Sequence, residues 1–147
     1  MQRIRLLSVG QIKTSWISQG CDVHVSRLEH ACDFEQIVLQ ADTPQKEEEK
    51  MLKSLEKIRG TIVLLDERGK TMTSPAFAQW IGKKRDAGEE ITFVVGGAYG
   101  IGQKVKAAHT QSIRLSDMTF PHELCQLIFL EQLYRAHEIL KGSGYHH

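Results

Sequence analysis

Short apolar runs punctuate the chain at Ile4 to Val9, Phe34 to Leu39, Thr61 to Leu65, Ile91 to Val95 and Ile113 to Leu115. Each has the length of a strand, and the longer segments between them carry helical spacing, which predicts a β/α alternation. The third and fourth runs, Thr-Ile-Val-Leu-Leu and Ile-Thr-Phe-Val-Val, do not alternate polar with apolar. Such strands are covered on both faces, so the expected fold is α/β, a mainly parallel sheet with helices on both sides. Thr43-Pro44 and Ser74-Pro75 each place a capping side chain before a proline tolerated in the first helical turn. After the first of these, Met51, Leu52, Leu55 and Ile58 form one stripe, and the run Glu47, Glu48, Glu49 and Lys50 is expected on a solvated face.

The last helix is expected from near Pro121 to the stop signal Lys141-Gly142. Leu127, Ile128, Phe129 and Leu130 are consecutive within it and point to nearly every side of a helix. One sheet does not cover such a girdle, so either a second subunit supplies the missing cover, which is the expectation here, or the helix is packed deeply within one chain. No repeat, low-complexity tract or long linker interrupts the pattern, so residues 1–147 are expected to form a single domain.

Charge and cysteines narrow the setting. Lys and Arg total 19 against 18 Asp and Glu, so no global field announces a nucleic-acid partner and any RNA contact must be local. Cys21, Cys32 and Cys125 are odd in number and lack Cys-x-x-Cys spacing, which suits a reducing, cytoplasmic setting. The start of the chain has no apolar stretch as long as a signal-peptide core, and no run approaches a membrane span. Seven histidines without a ligand-type spacing give no reason to expect a metal.

The candidate chemistry lies in the second half. Gly96, Gly97, Gly100 and Gly102 follow the fourth strand, where parallel sheets open their ligand crevice. The spacing is neither that of a dinucleotide fingerprint nor that of a Walker A loop. Read from residues alone, the loop serves equally as a ligand cradle or a tight turn. Leu115 to His122 reads as a strand end, a polar turn and a helix start, with Ser116, Asp117 and Thr119 able to act as turn and capping residues. The chemical candidates are His122, Arg135, Tyr145 and His146, although Arg135 could simply pair with Glu131 one turn earlier and the tail could fray.

Taken together and in order, Leu65-Asp-Glu-Arg-Gly-Lys70, Ser74-Pro-Ala-Phe-Ala78, the segment Ile91 to Gly100, Leu115 to His122, Glu131-Gln-Leu-Tyr-Arg135 and Tyr145-His146 resemble the RlmH family of SPOUT-class RNA methyltransferases. The match runs from about Thr61 to His146, and Ser8-Val9-Gly10 also fits. The resemblance implies a C-terminal trefoil knot, a homodimer, and transfer of a methyl group from S-adenosyl-L-methionine to N3 of a pseudouridine in 23S rRNA of the large ribosomal subunit. It places cofactor contacts on Leu65, on Gly96, Gly97 and Gly100, and on Leu115, Ser116, Asp117, Met118, Thr119 and Phe120. The Tyr145-His146 ending matches the family, which favours a tail folded over the site, and the catalytic work is expected of the set His122, Arg135, Tyr145 and His146.

The chain departs from the family's pattern in three places. It has Val23-His24 and Ser26-Arg27 where members carry Glu-Tyr and Lys-Arg, Gln126 where they carry arginine, and His147 where a basic residue follows the terminal pair. Fewer cations on an RNA face weaken phosphate contacts. The alternative reading is therefore a SPOUT dimer that binds adenosyl cofactor or nucleotide but is non-catalytic or differently targeted.

Overall fold

Residues 1–147 are described by a computed structural model. The strands are β1 (Arg3–Val9), β2 (Asp33–Leu39), β3 (Thr61–Thr71), β4 (Ile91–Val95) and β5 (Ser112–Arg114). The helices are α1 (Ser15–Leu28), α2 (Pro44–Glu56), α3 (Ser74–Asp86), α4 (Gln103–Ala108) and α5 (His122–Lys141). Every residue of β4 is buried, because β4 is flanked by β1 and β3 and covered above and below. The sheet runs in the order β2-β1-β4-β3-β5 with every pairing parallel. This is the α/β sheet that the two unbroken apolar runs predict.

Helices cover the two faces unequally. On one side α1, α3 and α5 bury Leu6, Val63 and Phe93, and the rings of Phe93 and Phe129 meet at 4.7 Å. On the other, α2 and the short α4 bury Leu7, Leu64 and Val94 beneath Met51, Leu55 and Val105. Because all strands point the same way, the loops after β1, β3 and β4 emerge at one edge, where parallel sheets place their crevices. The start of α5 lies at this edge too, since it shares a cleft with the loops after β3 and β4.

The structure departs from the sequence expectation in several places. The third strand continues past Leu65 to Thr71: Ile113 of β5 pairs with Leu65 and again with Lys70, so residues 66–69 arch past the end of β5. The cap of α3 is Thr73, whose side chain accepts from the Ala76 amide at 3.1 Å; Ser74 lies inside the helix and donates to Gln132 of α5 at 2.6 Å. The girdle on α5 is largely covered within the chain. Phe129 and Leu130 are completely buried, and Leu127 packs where a Cβ on Gly20 of α1 would come within 3.0 Å of it. Leu127 and Ile128 alone remain half-buried of the four.

Candidate functional site

The glycine loop is at once a tight turn and a cleft wall. A Cβ on Gly96 would stand 2.5 Å from the carbonyl carbon of Gly100, so a side chain there has no room. The Gly100 amide donates to the Gly97 carbonyl at 3.0 Å, and Gly100 takes a φ of 73°, a backbone state that glycine adopts without strain. The turn folds its backbone tightly and leaves Gly96 to Ile101 lining a cleft of about 690 Å³. Leu65, Asp66 and Glu67 from β3 supply a second wall; Thr119, Phe120 and Pro121 with His122 and Cys125 supply the third.

Two glutamates expected on a solvated face brace this loop instead. Glu48 Oε2 accepts from the Lys104 amide at 3.1 Å and lies where a Cβ on Gly102 would be. A carboxylate there also opposes the positive end of α4. Glu47 is 7% exposed, accepts from the Asp42 amide at 2.9 Å and passes beside Gly97. Glu48 bonds across the fold, whereas Glu47 bonds five residues back to Asp42 and reaches Gly97 only through packing. The hydrophilic run thus conceals one long-range brace and one buried local one.

A smaller recess of about 60 Å³ adjoins the cleft and shares Leu65, Phe120 and Cys125 with it. Leu115, Ser116 and Met118 line this recess. Ser116 Oγ accepts from the Met118 amide at 2.9 Å and holds the turn. Asp117 lines neither space; its side chain is 82% exposed and pairs with Arg114 at 3.0 Å. Of the residues expected to hold a cofactor, Asp117 alone faces away. Asp66 and Lys106 pair across the cleft wall at 3.3 Å, a contact with no sequence signal. Burial pushes the Cys125 thiol up, which disfavours a reactive thiolate at this wall.

The expected catalytic residues fall into two groups. His122 is in the cleft. Glu123 beside it accepts from the Lys13 and Thr14 amides at 2.8 and 3.2 Å, tying the loop after β1 to α5. Those bonds hold its carboxyl below the usual glutamate range. Arg135, Tyr145 and His146 gather thirteen residues further along α5, about 20 Å at the helical rise. Arg135 pairs with Glu131 at 2.6 Å and meets His146 Nδ1 at 3.1 Å, while the Tyr145 hydroxyl donates to Glu131 at 3.0 Å. The Arg135 guanidinium lies 4.9 Å from the centre of the Tyr145 ring, and the Tyr134 ring meets that ring edge-on at 5.1 Å. The tail is folded onto its helix, and burial with the Glu131 bond pushes the Tyr145 hydroxyl up.

Gln126, expected to mark a cation missing from an RNA face, is 8% exposed and points into the protein. His24 is half-buried, with burial as the first cause of its lowered pKa, and meets Tyr134 at 6.1 Å. Arg27 stacks over Tyr134 at 5.3 Å. His24 and Arg27 of α1 therefore join the cluster of Tyr134 and the tail, a grouping that sequence spacing does not reveal, whereas Val23 and Ser26 are exposed.

The sequence is similar to known proteins across its whole length. The family described as "Predicted SPOUT methyltransferase" matches residues 2–146. The chain is 38% identical to "Ribosomal RNA large subunit methyltransferase H" of Geotalea daltonii, covering 99% of each chain. It is 36% identical to the protein of the same name from Cytophaga hutchinsonii, again over 99% of each. A Synechococcus relative of that name is 37% identical, over 98% of this chain and 96% of its own. A match of this extent, through the glycine loop, the recess turn and the tail alike, places the chain in the SPOUT methyltransferase family.

Proposed function

We propose that residues 1–147 form a single SPOUT domain that uses S-adenosyl-L-methionine to methylate N3 of a pseudouridine in 23S rRNA. The observation that carries this reading is the cleft at the strand ends, built from three loops in a chain of this family. Its volume is in the range of small-molecule sites. The ionised side chains lining it are few, Asp66, Glu67 and Lys106, and two of them pair with each other. Backbone groups of the glycine loop and of Leu115 to Phe120 are left to recognise a nucleoside, with Leu65 and Phe120 as apolar walls. These residues fit the cofactor, with Gly96, Gly97 and Gly100 bordering it on one side and Leu115, Ser116, Met118, Thr119 and Phe120 on the other. Asp117 serves through its hold on Arg114.

When bound, S-adenosyl-L-methionine supplies an electrophilic methyl group. The chain has to align the base and take the N3 proton. An imidazole is the side chain best suited to accept a proton near neutral pH, and His122 is the one in the cleft. Arg135, Tyr145 and His146 are too far along α5 to reach the cleft of their own subunit. A homodimer with antiparallel α5 helices brings the tail of one subunit to the cleft of the other, where Arg135 offsets negative charge developing on the base and His146 is a second proton acceptor. The half-buried Leu127 and Ile128 lie between the two groups on α5.

The trefoil knot belongs to the same proposal. Its support is the arch of residues 66–69, whose Gly69 rests so close to Ile113 that a Cβ would stand 2.5 Å from that backbone. No helix is long and apolar enough to cross a membrane, and a ribosomal substrate implies action in the cytoplasm. The non-catalytic alternative rests on Gln126 and on the altered positions of α1; Gln126 is buried, away from any RNA face, and of the α1 positions His24 packs beside Tyr134.

Calorimetric titration with S-adenosylhomocysteine tests the cofactor assignment. Binding at about micromolar strength, roughly −8 kcal/mol, is expected. No heat at millimolar ligand, from a protein shown to be folded, would remove the cofactor and the methylation reading with it.

A further inference from the structure

Two exposed aromatic rings have no part in the chemistry so far described. Trp16 is 61% exposed and Tyr99 is 63% exposed, and they are the aromatics among the large apolar side chains left open to solvent. Both stand at the edge that holds the cleft. Tyr99 is in the glycine loop after β4 and lines the cleft itself. Trp16 is in the first turn of α1, just after β1, and β1 and β4 are paired neighbours.

Trp16 is held in place. The preceding Lys13 and Thr14 amides are bonded to Glu123, which follows His122 of the cleft. Exposed Lys13 and Lys104 add positive charge to this edge. N3 lies on the pairing edge of a uridine-type base, so the target must be unpaired and drawn out of its stack before it can react. Its neighbours then lose a stacking partner. Exposed rings beside a cleft can replace that partner for any base, because every base presents a π-face.

From these placements we infer that Trp16 and Tyr99 are stacking platforms for the nucleobases flanking the methylated nucleotide, with Lys13 and Lys104 facing the RNA phosphates. The inference rests on the RNA-methyltransferase reading and adds the surface that grips the substrate.

The full-length protein and its Trp16→Ala, Trp16→Phe, Tyr99→Ala and Tyr99→Phe variants decide it. Each alanine change should raise KM for ribosomal substrate about 5- to 100-fold, the range expected for loss of one base stack. Each phenylalanine change should restore it to within about twofold, and Trp16→Ala should leave S-adenosylhomocysteine affinity unchanged. The fluorescence lost in Trp16→Phe should, in the parent protein, be quenched by short unpaired RNA of varied sequence. A wild-type KM in Trp16→Ala would overturn the inference, as would an altered sedimentation coefficient, which would make Trp16 a subunit contact. If the parent protein failed to bind S-adenosylhomocysteine, the enzymatic reading would fall, while the quenching would still decide the platforms.

Discussion

His137 illustrates how one residue responds to packing that its sequence neighbours do not reveal. Burial, and then the Arg85 charge, push its imidazole down from 6.5 to about 4, with Glu138 opposing weakly. A lowered folded value means that the unfolded chain binds more protons between those limits. Stability is therefore full above pH 6.5 and falls as pH drops toward 4. In His137→Gln that part of the pH dependence should vanish, leaving the loss from carboxylates such as Glu123 at lower pH. Urea midpoints between pH 7 and 4 check this, and parallel curves for the two proteins would contradict it. Glu48 makes a second case. Its carboxylate fills the space at Gly102 and caps Lys104. Glu48→Ala should weaken S-adenosylhomocysteine binding several-fold and cost about 1 kcal/mol of stability, near the value of one such hydrogen bond. Unchanged binding heat would show that the loop holds its shape without this brace.

At the scale of elements, local chemistry sets starts and long-range pairing sets lengths. Thr73, the cap of α3, and Ser74, the link to α5, are adjacent and do different things. Thr73→Ala should cost about 1 kcal/mol through loss of the cap. Ser74→Ala should leave the start of α3 intact by amide exchange but loosen its contact with Gln132; equal exchange in the two variants would refute the assignment. The sequence marked β4 to the residue, from Ile91 to Val95, because a fully buried strand is apolar throughout. It stopped β3 at Leu65, since the polar stretch 66–71 owes its extended state to a second pairing with Ile113, far away in the chain. The six-residue α4 had no readable periodicity. The same limit applies to the site. The glycines and the turn at Leu115 to Phe120 announce themselves by composition, whereas Glu47, Glu48, Glu123 and the Asp66–Lys106 pair are legible only once α2, α4 and α5 are in place.

For the whole molecule, the distance along α5 matters most. His122 stands at the cleft while Arg135, Tyr145 and His146 gather nearly four turns away. A monomer holds the two halves apart, and a dimer of the proposed kind joins them. A protein impaired in the glycine loop by Gly96→Val and one impaired in the tail by His146→Ala should each be inactive alone. Mixed to form verified heterodimers, they should regain part of the activity, because one of the two sites is then intact; no recovery would argue against shared sites. The basic character needed to bind RNA is local, since the net charge is only +1. The fall of ribosomal RNA affinity with salt should accordingly report the few phosphates met by local cations such as Lys13 and Lys104, a gentler slope than that of binders with many such contacts.

Transfer of a methyl group from this cleft to one base of ribosomal RNA can be observed at the product itself. The most direct measurement supplies methyl-labelled S-adenosyl-L-methionine and ribosomes from cells lacking the protein, then locates the label by mass spectrometry of digested 23S rRNA. One labelled nucleotide is expected, a pseudouridine methylated at N3, with the label lost in the Gly96→Val variant. Label on another base or on no RNA at all, from protein that binds S-adenosylhomocysteine, would contradict it.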